Sequence, residues 1–156
     1  MVKIGVMGAG SWGTALALLL NRNGHEVTIW SIDKNEVEML RTKREHVDKL
    51  PGVMIPESIQ FSNTISEGIL GMDMIVMAVP SVFTRGTAKK MCPYVTEGQL
   101  LVNVSKGIEE TTLMTMTDQI EEEIPQAKVA VLSGPSHAEE VSRGLPTTVV
   151  AGARDR

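Results

Sequence analysis

Six residues, Gly8-Ala-Gly10-Ser-Trp-Gly13, limit this chain's possible folds more than any others. They follow a short apolar run, Val2 to Met7, that reads as a buried parallel strand. They precede Thr14 to Leu20, a run of good helix formers with Gly24 as its stop. A second strand, Glu26 to Ser31, leads to Asp33, about 20 residues beyond the last glycine, the spacing at which an acidic group meets ribose hydroxyls. In that setting each glycine has a separate task. Gly8 permits the tight turn out of the strand, Gly10 lets backbone approach a pyrophosphate, and Gly13 lets the helix lie close to the strand. The helix start then presents free N–H groups and the positive end of its dipole to phosphate oxygens, with Ser11 able to donate through backbone or hydroxyl. Two other readings fit the same segment: a plain strand–turn–helix using glycines for the turn alone, and a methyltransferase loop.

Bulk properties narrow the class. A chain of 156 residues with 42% hydrophobic residues and mean hydropathy +0.03 has the size and balance of one globular domain. Its net charge is −4 and its pI about 5.4, so no basic stripe and no nucleic-acid partner is expected. Arg41, Lys43 and Arg44 read as a solvated helix face, and Glu121 to Glu123 likewise. Cys92 is the single cysteine, which excludes an intrachain disulfide and fits a reducing cytoplasm. No signal peptide precedes the first strand and no apolar run is long enough for a transmembrane segment, so a cytoplasmic location is expected. The ten methionines are scattered and read as core filler. His25 and His46 have no evident partner and are expected at the surface.

Strands and helices alternate along the rest of the chain. Asn35 to Arg44 reads as a helix, and the polar, Pro-punctuated Glu45 to Ser58 as a loop of the length that covers ligands. Ile59 to Phe61 reads as a short strand and Ile65 to Gly71 as a short helix. Met74 to Val79 is a third strong strand, followed by a helix from Val82 to Met91 with Ser81 as its cap. Leu100 to Val104 and Lys128 to Leu132 are further strands, with a helix from Thr112 to Ile124 between them. Ser136-His-Ala-Glu139 has the spacing of a capping box, and Thr147 to Ala151 forms the last strand. This alternation predicts an α/β fold: a Rossmann-type doubly wound, mainly parallel sheet over residues 1–156 with a ligand at the carboxyl ends of its strands. No segment beyond Ala151 could close over that ligand, so the chain is expected to be the N-terminal fragment of a longer two-domain enzyme.

Three later segments end strands on the ligand side: Ala78-Val-Pro-Ser-Val-Phe83, Asn103-Val-Ser-Lys-Gly107 and Leu132-Ser-Gly-Pro-Ser-His-Ala138. With the glycine-rich turn, and from Lys3 to about Ala151, they resemble the bacterial NAD(P)-dependent glycerol-3-phosphate dehydrogenases, in their cofactor-binding N-terminal domain; the family's helical C-terminal domain is not among these residues. The resemblance implies reversible hydride transfer between NAD(P)H and dihydroxyacetone phosphate or glycerol 3-phosphate, feeding glycerophospholipid synthesis, by a homo-oligomer when full length. Beside Gly8, Gly10, Ser11, Trp12, Gly13 and Asp33, which the turn and its spacing already offer as cofactor-binding, it implies that Phe83, Lys106 and Ala138 bind cofactor, and that Lys106, Gly134 and Ser136 bind substrate. It places no catalytic residue here, because the proton-transfer lysine belongs to the C-terminal domain. His137 is then a bystander on a capped helix. Trp12 could equally pack in the core, and the alternative for Phe83 is the apolar face of the following helix. No metal is implied.

The stretch Ser31-Ile-Asp33-Lys34 departs from the basic residues that bacterial members commonly carry there. A carboxylate at Asp33 accepts from free ribose hydroxyls and repels a 2′-phosphate, so NAD is expected to be preferred, with NADP possible. Asp33 also opens a helix-capping pattern, which competes with that role. Functions of other classes remain compatible: a related dehydrogenase of another hydroxy acid or sugar, a non-enzymatic NADH-sensing domain, or a methyltransferase.

Overall fold

The computed structural model describes residues 1–154. In chain order the elements are β1 (Lys3–Met7), α1 (Ser11–Arg22), β2 (Glu26–Trp30), α2 (Lys34–Lys43), β3 (Glu45–His46), β4 (Leu50–Met54), β5 (Gln60–Ser62), β6 (Met74–Met77), α3 (Thr84–Met91), β7 (Leu100–Asn103), α4 (Met116–Glu123), β8 (Lys128–Ser133), α5 (Ala138–Ser142) and β9 (Val150–Ala153). A 3₁₀ turn, Ile65–Gly68, lies between β5 and β6.

Seven strands form one sheet in the order β5-β2-β1-β6-β7-β8-β9. All neighbours are parallel except β8 and β9. The chain winds outward from β1 in one direction to β5 and then in the other from β6. The crevice between β1 and β6 is therefore the point of reversal, where open α/β sheets take their ligands. Strand alternation builds two cores. Ile4, Val6, Val27 and Ile29 pack on one face with Ala15 and Leu18 of α1, Val37 and Leu40 of α2 and Val141 of α5. Met7, Trp30, Ile75, Met77 and Leu101 pack on the other with Ala88 and Met91 of α3 and Ile120 of α4. Both faces of the central strands are thus covered by helices, as the apolar runs predict.

Several local expectations are corrected. Residues 45–58 are not a plain loop: β3 and β4 pair as an antiparallel ribbon, with Gly52 N donating to Glu45 Oε1 at 2.6 Å and the buried Leu50 anchoring the hairpin. Pro51 is tolerated because a two-stranded ribbon has a free edge. The helix expected from Thr112 begins only at Met116, because Leu113 has φ 60, a left-handed conformation that no helix contains. Thr115 and Asp118 form its capping box. Ser81 makes no side-chain cap, and α3 starts at Thr84 after one 3₁₀ turn. The box expected at Ser136 does not form: His137 is the N-cap residue of α5 and makes no side-chain cap bond, and Ser136 N donates to Gly134 O at 2.9 Å. The last strand is antiparallel, because α5 has only five residues and cannot carry the chain back along the sheet.

Two charged stretches prove to be structural. Arg41 donates to Phe61 O at 2.6 Å, and Arg44 lies 5.2 Å over the Phe61 ring while donating to Ile59 O at 2.8 Å. The two guanidinium groups therefore clamp β5 and the residue before it, while Arg41 and Lys43 stay exposed as a solvated helix face requires. Glu122 and Glu123 converge with Glu109 on Arg85 of α3, and Glu121 meets Arg154. Hydrogen bonds from Arg85 and then Thr112 hold the Glu109 carboxyl down at about 2, against an ordinary 4.5. A depressed carboxyl stabilises the fold above its unfolded value and loses that contribution as pH falls through its folded value. Glu109→Gln is therefore expected to lower the denaturation midpoint at neutral pH. That difference from wild type should shrink from about pH 4.5 downward and vanish near pH 2, followed by urea unfolding across pH.

Candidate functional site

The turn between β1 and α1 shows the three glycines at different work. Gly8 has φ +124, and a Cβ there would lie 2.7 Å from the Ala78 carbonyl, so the turn passes hard against the end of β6. A Cβ on Gly13 would lie 2.2 Å from Gly8 O, which fixes how closely α1 approaches its strand. A Cβ on Gly10 would meet nothing within 4 Å. Gly10 is the N-cap of α1 with an ordinary φ of −66, so the protein itself does not require glycine there. The open space above it is a place for backbone to meet an external group. The first intrahelical bond runs from Thr14 N to Gly10 O at 3.0 Å, leaving the N–H groups of the first turn pointing into that space.

A cleft of about 400 Å³ opens over this turn, within the size range of ligand sites. Gly8 and Gly10 form its base, Ser31 and Asp33 one wall, and Val79 and Phe83 the other. Trp30 contributes to the floor, and its buried Nε1 has no partner among the described residues. Phe83 is 60% exposed, so it is no part of the core and stands at the cleft's rim. Asp33 does cap α2, with Oδ1 accepting from Asn35 N at 2.8 Å, and it also lines the cleft.

Beyond the helix start lies a second hollow of about 310 Å³, bordered by Ser11, Trp12, Lys106, Ser136 and Ala138. Lys106, on its border, donates from Nζ to Gly134 O at 2.8 Å. The segment before Lys106 is fixed by reciprocal bonds between Asn103 and Ser105, at 3.0 and 3.3 Å, and by the Ser105 hydroxyl donating to Val79 O. Gly134 must be glycine on space alone, since a Cβ would lie 2.8 Å from Thr148 O. Trp12 is partly buried against the α1 core, and its Nε1 also has no partner among the described residues. His137 is exposed and lines neither hollow. Thus Gly8, Gly10, Asp33 and Phe83 share the cleft, and Ser11, Trp12, Lys106, Ser136 and Ala138 share the adjoining hollow, with Gly13 beneath.

Sequence reasoning missed one group on the cleft. His46 is not at the surface; it is 1% exposed and its Nε2 lies 2.9 Å from Glu36 Oε1. Lys49 Nζ donates to the same oxygen at 2.5 Å, and Ser31 Oγ donates to Glu36 Oε2. Burial works to raise the Glu36 carboxyl, but hydrogen bonds from Lys49, Ser31 and His46 outweigh it and hold it below its ordinary value. Among the described residues no cluster of three or more His, Cys, Asp or Glu could hold a metal ion, and no helix is long and apolar enough to cross a membrane.

A doubly wound sheet with a glycine turn, a free helix start and an acidic second strand end defines an NAD(P)-dependent dehydrogenase domain. The chain belongs to the family described as NAD-dependent glycerol-3-phosphate dehydrogenase N-terminus, which matches residues 3–156. It is 64% identical over 154 residues to the glycerol-3-phosphate dehydrogenase (NAD(P)+) of Agathobacter rectalis, covering 99% of this chain and 46% of that protein. Against the enzyme of the same name from Fusobacterium nucleatum the identity is 50%, covering 100% of this chain and 47% of the relative. The crystal structure of glycerol-3-phosphate dehydrogenase from Coxiella burnetii superposes with a TM-score of 0.91 at 30% identity, over 99% of this chain and 47% of that one. The chain thus spans about half the length of the curated relatives it matches. A UDP-glucose dehydrogenase from Pyrobaculum islandicum, at 22% identity and TM-score 0.68, shares the fold alone.

Proposed function

We propose that this chain is the cofactor-holding domain of an sn-glycerol-3-phosphate dehydrogenase, converting dihydroxyacetone phosphate and glycerol 3-phosphate into one another for glycerophospholipid synthesis. The observation that carries this reading is the Lys106 side chain, which donates to Gly134 O at 2.8 Å and borders a hollow that begins at the α1 N-terminus. A fixed positive charge there stands beside the cofactor cleft, where a phosphorylated substrate would meet it.

The residues present fit a dinucleotide. Gly10 leaves room for the pyrophosphate, and the N–H groups of Ser11, Trp12 and Gly13 would donate to it. Asp33 would accept from the adenosine ribose, Phe83 would cover the cofactor at the rim, and Ala138 would border it from α5. When bound, the nicotinamide supplies the hydride. This chain's own part is to orient and to balance charge. Lys106, with Gly134 and Ser136, would hold substrate oxygens and offset negative charge growing on the carbonyl oxygen. The proton-transfer lysine and further substrate ligands belong to a second, helical domain of a longer homo-oligomeric, cytoplasmic enzyme.

The 156 residues by themselves are therefore expected to bind NADH without turning over dihydroxyacetone phosphate, followed by the loss of NADH absorbance. Steady turnover by the isolated chain would contradict the assignment, and saturable binding of S-adenosylmethionine would point to a methyltransferase instead. Asp33→Ala tests the other wall. Loss of the cap should cost about 1 kcal/mol of stability. The preference for NADH over NADPH should also narrow, measured as the ratio of dissociation constants. An unchanged ratio would leave Asp33 as a cap and nothing more.

A further inference from the structure

The adenosine end of the cleft holds a charge arrangement that Asp33 does not explain. β2 gives out at Trp30, and the next residue, the buried Ser31, carries no charge. Its hydroxyl donates to Glu36, one turn into α2, which brings a carboxylate back to the end of the strand. Glu36 is only 12% exposed at its side chain, and His46 supports it from behind. Lys49, reaching over from the β3–β4 hairpin, spends its ammonium on Glu36 Oε1 at 2.5 Å. Ser31, Asp33, Glu36 and Lys49 all line the cleft. Lys90, its other lysine, belongs to α3, which packs on the opposite face of the sheet from α2.

We infer that Glu36, by holding Lys49, sets the choice at the ribose 2′ position: it admits a free hydroxyl and turns away a 2′-phosphate. A phosphate entering there meets two carboxylates and a lysine whose charge is already matched. Glu36 outweighs Asp33 in this because it is shielded from solvent, whereas Asp33 is exposed and screened by salt. The same pair contains its own reversal. Neutralising Glu36 without changing its shape would leave the Lys49 ammonium on the cleft wall, free to form a charge-assisted hydrogen bond with phosphate.

This inference rests on the dinucleotide reading, and one experiment separates the two. Dissociation constants for NADH and NADPH are measured by tryptophan fluorescence at low salt for wild type, Glu36→Gln, Lys49→Met and the double variant, with circular dichroism confirming folding. Wild type should favour NADH by about tenfold or more. Glu36→Gln should move the ratio toward NADPH by about tenfold, and adding Lys49→Met should abolish that gain. Lys49→Met alone, at a half-exposed residue with little stake in folding, should strengthen the preference for NADH about threefold by uncovering Glu36. The inference is overturned if Glu36→Gln leaves the ratio unchanged, if the double variant shifts as far as the single one, or if Lys49→Met fails to disfavour NADPH. Absence of NADH binding by folded wild type would instead defeat the dinucleotide reading itself.

Discussion

Gly13→Ala is expected to cripple the fold and Gly10→Ala to spare it, although both replace a glycine in one turn with the same methyl group. At position 13 the new Cβ would lie 2.2 Å from Gly8 O, a backbone atom that cannot swing aside. Either α1 tilts off β1 or the turn opens, and both disturb the best-buried part of the sheet. Overpacking of this kind costs about 3 kcal/mol, or roughly 10 °C of thermal midpoint in a domain of this size. At position 10 the new Cβ would have nothing within 4 Å and the φ of −66 suits alanine. The exchange costs only the difference between two N-cap residues that lack a capping oxygen, about 1 kcal/mol at most. Its effect falls on the ligand: the methyl occupies the space a pyrophosphate needs, and NADH affinity should drop by at least about 30-fold, or 2 kcal/mol. Thermal denaturation and NADH titration of both variants separate the two roles. Equal destabilisation, or unaltered affinity in Gly10→Ala, would show that the open space has no occupant.

Lys106→Ala is expected to have the largest effect on turnover. Its side chain is exposed and its one bond runs to a carbonyl, so the fold should not depend on it. In an enzyme of full family length, removal of a fixed cation aimed at developing negative charge should cost about 3 kcal/mol, or roughly a hundredfold, in kcat/KM for dihydroxyacetone phosphate. NADH affinity should change far less, because on this reading the pyrophosphate would be held mainly by α1 amides. A variant with full turnover would make Lys106 a surface lysine that merely ties the segment after β7 to the segment after β8.

Both predictions start from features legible in the sequence, and the reason is local. The turn glycines, the apolar runs of β1, β2, β6 and β7 and the segment around Lys106 are each specified by neighbours within a few residues. The doubly wound, mainly parallel character of the sheet followed from alternation of strand and helix. What could not be read depends on residues far apart or on single dihedral angles. The antiparallel sense of β9 follows from how short α5 is, and the late start of α4 from one left-handed residue, Leu113. The ribbon of β3 and β4 looked like loop because Pro51 and Gly52 hide a two-stranded edge. His46 looked like a surface residue because its partner, Glu36, belongs to a different element and meets it only when that ribbon folds over α2. The same long-range closure conceals the Lys49 contact. Glu36 did carry a hint, an acidic residue in the first turn of a helix that leaves a strand end, but helix capping explains that position equally well.

The most direct test is a titration of the purified chain with NADH, watching Trp30 on the cleft floor and Trp12 at the helix start. A saturable change in tryptophan emission, reversed by excess NAD and abolished in Gly10→Ala, is the predicted result. A folded chain whose emission never saturates at any attainable NADH concentration would contradict the claim that the first turn of α1 grips a dinucleotide.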